Sequence, residues 1–102
     1  MEYNKLVRDK IPEIIEKDGE KPIIHIAGDD EYEEALKNKL HEETTEFLEN
    51  ISLKEAGDMM EVMRAILALR GIDASKLEEE RQKRLEERGG FEKRIILERT
   101  EK

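Results

Sequence analysis

The sequence predicts a mainly α-helical fold: an antiparallel helical hairpin, further helices, and a small two-stranded sheet from residues near 22–27 and 92–99. Apolar residues recur at helical spacing through most of the chain, although charged residues make up 45% of it. Hydrophobic residues make up 36% and aromatic residues 4%. So little bulky apolar material predicts a thin core, in which helices share a seam with each other and with a partner subunit.

Length and charge limit the classes of function. At 102 residues the chain is expected to form one domain, residues 1–102. The net charge of -8 and the pI of about 4.9 disfavour nonspecific binding to nucleic acid or to an anionic membrane. A phosphate-bearing ligand is compatible with this charge when metal cations stand between the ligand and the acidic groups.

Cysteine usage and hydropathy exclude further classes. The chain has no cysteine, so disulfides and thiolate metal sites are excluded. No apolar run approaches transmembrane length, and the charged N-terminus lacks the apolar core of a signal peptide. We therefore expect a cytoplasmic protein without a membrane partner.

The first elements are short. A helix with Pro12 in its first turn is expected to stop at Gly19. KPIIHIAG then has the alternation of a strand that ends at Gly28, and the tail FEKRIILERT is expected to pair with it.

Three longer helices are each predicted to open with a capping box. The boxes are Asp30 with Glu33, Ser52 with Glu55, and Ser75 with Glu78. The first helix spans about residues 31–50, the second ends at Gly71, and the third ends at Gly89-Gly90.

The hairpin carries carboxylates in its apolar seam. The stripe of Leu36 and Leu40 continues, by helical steps, to Glu43 and then to Phe47, with Glu46 one turn beyond Glu43. Glu43 therefore interrupts a face that is otherwise apolar.

Closing the hairpin brings this face onto a second pair of acids. With the turn centred near residues 50–51, Glu46 is expected opposite Glu55, and Glu43 opposite Asp58. Four partly buried carboxylates repel one another and lose hydration. A hard divalent cation such as Mg²⁺ relieves both costs and keeps coordination positions for a phosphate. The alternative is structural, with Glu55 serving only its capping box.

The acidic pattern also carries a family resemblance. EETTE followed by EAGD resembles the EExxE…ExxD pattern of the all-α, MazG-like nucleoside triphosphate pyrophosphohydrolases. The opening YNKLVRDKIPEII and the closing RGGFEKRIILE resemble the two ends of a compact, single-domain branch of predicted pyrophosphatases of that kind. The resemblance spans nearly the whole chain. One departure is the short link of eight residues between Glu46 and Glu55, which could alter the pocket and the substrate.

The resemblance implies a metal-dependent hydrolase. It implies Mg²⁺, with Mn²⁺ as a substitute, held by Glu43, Glu46, Glu55 and Asp58. It also implies cleavage of a nucleoside triphosphate between its α- and β-phosphates, which gives a monophosphate and pyrophosphate. Some members of the family discard non-standard nucleotides.

Two groups of residues are candidates for the remaining chemistry. A carboxylate not committed to metal could accept a proton from the attacking water, and Glu42 and Glu46 are both candidates for this role. Lys5, Arg8 and Lys10 form a basic cluster suited to phosphate, although a solvated amphipathic segment would explain them equally well.

Partners and rival functions follow from the same features. The segment MMEVMRAILAL is apolar nearly all round, which predicts a homodimer or a higher homo-oligomer, as the resemblance does. A phosphoribosyl-ATP pyrophosphohydrolase is a related possibility that the LVRDKIP opening disfavours. A non-catalytic helical module that binds nucleotide or metal, or that serves oligomerisation, is the alternative class.

Overall fold

The fold of the chain is described by a computed structural model that covers residues 4–102. Tyr3, the first residue of the predicted opening motif, lies outside this range. The chain divides between Gly71 and Ile72 into two compact units. The prediction that residues 1–102 act as a single domain stays a prediction.

The first unit contains a short helix and a helical hairpin. Helix α1 spans Ile11–Lys17 and has Pro12 in its first turn, and Gly19 follows it with a φ of 90°. Helix α2 spans Asp29–Glu49 and helix α3 spans Leu53–Leu69. The two long helices pack against each other across the link at residues 50–52, so the predicted hairpin is confirmed.

The hairpin seam is thin. Leu36 is the one apolar side chain of residues 4–102 that is buried, at 2% exposure. On the same stripe, Tyr32, Leu40 and Phe47 are half-buried. Glu43 continues this stripe and is itself buried at 8% exposure. The predicted interruption of the apolar face by a carboxylate is therefore confirmed.

The second unit contains helix α4, Ala74–Arg88, which ends at Gly89 with a φ of 81°. The predicted capping box of Ser75 is wrong, since Asp73 is the N-cap and its carboxylate accepts from the Lys76 amide at 3.0 Å. The Ser75 hydroxyl donates a hydrogen bond to the Asp73 carboxylate. Glu78, the other member of the predicted box, accepts a hydrogen bond from the Arg81 guanidinium. A charged acceptor at a helix N-terminus outcompetes the neutral hydroxyl.

Two further predictions are corrected. Helix α2 begins after Gly28 without a side-chain cap, so the predicted capping box of Asp30 is wrong. Asp30 lies inside the first turn, where its negative charge still interacts favourably with the positive end of the helix dipole. Residues 22–27 and 92–99 contain no strand, and the predicted two-stranded sheet is absent from residues 4–102. The apolar side chains of both segments are exposed, and a two-stranded ribbon without a covering face is marginal in water.

No helix among residues 4–102 is long and apolar enough to cross a membrane.

Candidate metal centre

Three carboxylates from the two helices of the hairpin converge. Glu43 of α2 and Glu55 and Asp58 of α3 each offer an oxygen, and these oxygens all lie within 4.8 Å of one another. Glu55 and Asp58 share a face of α3 because they are three residues apart, and the hairpin register brings Glu43 onto that face. We call these three residues the carboxylate cluster.

The N-terminal cap of α3 helps to position the cluster. Ser52 caps α3 by accepting a hydrogen bond from the Glu55 amide at 3.2 Å, as the sequence predicts. The cap orders the first turn of α3, which carries Glu55, and Asp58 follows one turn later. Local capping therefore positions two of the three acidic side chains.

Two oxygens of the cluster are buried without a partner. Glu43 Oε2 and Glu55 Oε2 are inaccessible to solvent and have no hydrogen-bond partner among residues 4–102. A buried carboxylate oxygen without a donor is costly, because neither water nor protein replaces its lost hydration. Hard divalent cations take carboxylate oxygens as ligands, so this all-oxygen donor set is compatible with an ion such as Mg²⁺.

The acids that surround the cluster differ in electrostatics. Burial raises the pKa of Glu43, the neighbouring charge of Glu46 raises it further, and Lys39 opposes the change. Hydrogen bonding from Lys5 lowers the pKa of Glu42 and outweighs the effect of its partial burial. The pKa values of Glu42 and Glu43, which are adjacent on α2, are therefore shifted in opposite directions.

Glu46 lies next to the carboxylate cluster but is not one of its members. Its side chain is exposed, and Glu46 is not among the three residues whose oxygens lie within 4.8 Å of one another. Its charge nevertheless acts on Glu43, one turn earlier on α2. The predicted set of four carboxylates is therefore arranged as three converging residues and one exposed neighbour.

Two of the three predicted basic residues reach this region. Lys5 Nζ donates to Glu42 Oε1 at 3.1 Å, and an Arg8 guanidinium nitrogen donates to Asp58 Oδ1 at 2.9 Å. Lys10 precedes α1, is exposed and forms no ion pair within residues 4–102. The segment before α1 is thereby attached to α2 through one contact and to α3 through another.

Two lysines in this region were not predicted from the sequence. Lys39 Nζ lies 3.7 Å from an oxygen of Glu42 and 3.7 Å from one of Glu43. Lys54 Nζ lies 3.3 Å from an oxygen of Glu55 and 3.3 Å from one of Asp58. Three of these four pairs have spacings of three or four residues, which favour pairing on a helix, so their signal was available in the sequence; Lys54 and Glu55 are adjacent.

Comparison with known proteins adds one partial similarity. No family model matches the chain, and no solved structure matches it significantly. A protein of Mycolicibacterium smegmatis, described as uncharacterized, is 52% identical over 42 residues. The similar stretch covers 41% of this chain and 43% of that relative, so the chain matches less than half the length of the relative.

Proposed function

We propose that the chain is a Mg²⁺-dependent nucleoside triphosphate pyrophosphohydrolase of the MazG-like kind. The observation that carries this proposal is the pair of buried, unpartnered oxygens on Glu43 and Glu55, within a cluster that also includes Asp58. Arg8 contacts Asp58 of this cluster, and Lys5 contacts Glu42, the residue before Glu43; from these positions both would meet phosphate groups.

The carboxylate cluster would hold the metal, with Glu46 as the fourth carboxylate of the site. Held there, a divalent ion would supply neutralisation of the phosphate charge and activation of the attacking water. In the proposed reaction, water attacks the α-phosphorus and the bond to the β-phosphate bridging oxygen breaks. The products are a nucleoside monophosphate and pyrophosphate.

The protein's own residues bind the substrate and move the proton. Arg8 offers forked donors and Lys5 a mobile charge for phosphate oxygens, and Lys10 belongs to the same proposed set. The proton of the attacking water goes to Glu42 or Glu46. Hydrogen bonding from Lys5 lowers the pKa of Glu42, which keeps this carboxylate ionised but also makes it a weaker proton acceptor.

The proposal extends to biological context. The substrate class includes non-standard nucleotides that a cell discards, and phosphoribosyl-ATP is the related alternative substrate. The proposed assembly is a homodimer or a higher homo-oligomer in the cytoplasm. Exposed apolar side chains on the hairpin, among them Leu53 at 92% exposure, support a partner copy.

The alternative is a helical module that binds nucleotide or metal without catalysis. Such a module would keep the acidic cluster but would lack cationic side chains directed at it. Lys5 and Arg8 both contact acids of this region, which favours the enzyme over the module.

Pyrophosphate release from a panel of standard and modified nucleotides, with and without Mg²⁺, tests the proposal. We expect release from at least one nucleotide, abolished by Glu43→Gln and by Asp58→Asn. Glu78→Gln is the matched control, since Glu78 is an exposed carboxylate on α4. A panel that yields no pyrophosphate at any metal concentration would overturn the enzyme proposal.

A further inference from the structure

Both oxygens of the Asp58 carboxylate are paired with cations. Arg8 donates to Oδ1 at 2.9 Å, and Lys54 donates to Oδ2 at 3.3 Å. Lys54 also donates to Glu55 Oε1 at 3.3 Å. One ammonium group therefore joins two of the three members of the carboxylate cluster.

Lys54 is the cation that can leave most readily. Its side chain is 77% exposed, whereas that of Lys39, the lysine on the other helix, is 18% exposed. The long, flexible lysine stem lets an exposed ammonium turn away without disturbing the packing of α3. Lys39 is partly buried between its own helical neighbours and lacks this freedom.

We propose that Lys54 is an exchangeable counter-ion and an additional phosphate-binding residue. It holds Glu55 and Asp58 together when no divalent cation is bound, and it turns to the phosphate groups of the ligand when a cation takes its place. This inference rests on the proposed function, because it requires a cation at the cluster and a phosphate-bearing ligand beside it.

Charge balance predicts the sign of the effect of Lys54 on metal binding and on phosphate binding. A divalent cation at Glu55 and Asp58 competes with the ammonium for the same oxygens and repels it. A phosphate group that arrives with the metal supplies negative charge close to the position that the ammonium leaves. Lys54 should therefore oppose binding of metal alone and favour binding of phosphate to the metal-loaded protein.

Two titrations of the full chain by calorimetry test this. For Mn²⁺ alone, Lys54→Met should lower the dissociation constant by about threefold to tenfold, as expected for the loss of weak exposed ion pairs. For inorganic pyrophosphate at saturating Mn²⁺, the same variant should raise the dissociation constant by about threefold to tenfold. Lys54→Arg keeps the charge and should stay close to the wild type in both titrations.

Lys37→Met is the matched control. Lys37 is an exposed lysine on α2 that forms no ion pair within residues 4–102, so its loss removes the same charge without touching the cluster. We expect Lys37→Met to change neither dissociation constant by more than about twofold, because its charge is screened by salt.

Lys54→Met is expected to bind Mn²⁺ more tightly and pyrophosphate more weakly, and these opposite changes distinguish the possible outcomes. If Lys54 had a merely structural role, Lys54→Met would bind both Mn²⁺ and pyrophosphate more weakly. That result would overturn the inference. Tighter metal binding with unchanged pyrophosphate binding would overturn the phosphate-binding role. Wild-type protein that binds Mn²⁺, with a Lys54→Met variant that behaves identically, would refute the Lys54 inference and leave the metal site standing. Absence of Mn²⁺ binding in the wild type would refute both.

Discussion

Arg8 and Asp58 lie 50 residues apart in the chain, and their side chains form an ion pair of 2.9 Å. This contact attaches the segment before α1 to helix α3 at the carboxylate cluster. Lys5 makes the equivalent contact to Glu42 of α2. The basic segment thus bridges both helices of the hairpin where the proposed metal and phosphates would meet.

Loss of Arg8 should weaken substrate binding more than it slows the reaction. We expect Arg8→Gln to raise KM by about tenfold to a hundredfold, because a charge-assisted contact to phosphate contributes on the order of 1.5–3 kcal/mol. Arg8→Lys should recover part of the loss, since it keeps the charge without the fork. Steady-state kinetics measure this, and a fall in kcat at unchanged KM would contradict it. The effect on stability should stay below about 1 kcal/mol, because the Arg8 side chain is 59% exposed and its ion pair is accessible to water.

Replacement of Glu43 should stabilise the metal-free protein. Burial raises the pKa of Glu43, so this carboxyl group favours the folded state when protonated, and its contribution is lost as the pH rises through its folded pKa. Glu43→Gln should therefore raise the Tm at pH 7 by about 2–5 °C and flatten the pH dependence in the acidic range. The same variant should lose the increase in Tm that Mn²⁺ gives the wild type. Thermal melts with and without Mn²⁺ test both effects, and a Tm decrease without metal would count against the assigned cause.

Replacement of the neighbouring Glu42 should have the opposite effect on stability. The hydrogen bond from Lys5 lowers the pKa of Glu42, so its contribution is present above the ordinary value of 4.5 and is lost as the pH falls through the folded pKa. Glu42→Gln should lower the Tm at pH 7 and bring no further loss under acidic conditions. The same melts measure this, and equal shifts for Glu42→Gln and Glu43→Gln would contradict it.

The hairpin and its acidic face were predictable because both depend on local periodicity. Helical steps from Leu36 and Leu40 identify Glu43 as a seam position, and the short turn determines what faces it. The group of Glu43, Glu55 and Asp58 follows directly. The exposure of Glu46 did not follow, because equal distance from the turn does not determine which way a side chain leans across a thin seam.

The errors have physical causes of their own. Capping at α4 depends on a competition between Asp73 and Ser75, two residues apart, and the pattern with Glu78 could not resolve it. Alternating residues at 22–27 indicate an extended tendency, but pairing is non-local and depends on a covering face. The pairs of Lys39 with Glu42 and Glu43, and of Lys54 with Asp58, have helical spacings of three or four residues and were therefore predictable from the sequence.

Removal of the α3 cap should affect stability and metal binding together. Ser52→Ala removes the acceptor of the Glu55 amide and should cost about 0.5–2 kcal/mol of unfolding free energy. Fraying of this turn should also weaken Mn²⁺ binding, because Glu55 lies in it. Ser75→Ala is the comparison variant: it removes a hydroxyl that donates to the Asp73 N-cap of α4 but accepts from no helix amide itself, so its stability loss should be smaller and Mn²⁺ binding unchanged. Chemical denaturation and Mn²⁺ titration measure the two effects, and lost stability with unchanged Mn²⁺ affinity would separate the cap from the site.

The hairpin link exposes an apolar surface that a second copy of the chain should cover. Leu48, Ile51 and Leu53 are 67%, 74% and 92% exposed, and they lie within six positions around the link. Three large neighbouring apolar side chains in water are unfavourable by roughly 25 cal/mol for each Å² that a partner could bury. We therefore expect these residues to contribute to the proposed homo-oligomer.

Leu53→Glu tests this surface without breaking the helix that carries it. Leu53 is the first residue of α3, where a carboxylate is favourable to the helix dipole, so the variant should keep its helical content by circular dichroism. Its mass by light scattering should fall to that of the 12.0 kDa monomer at concentrations where the wild type is assembled, because the new charge would be buried against a partner. Leu53→Met keeps the apolar character and should keep the wild-type mass. An unchanged mass for Leu53→Glu would exclude this surface from the interface and shift the expectation to the exposed methionines of α3.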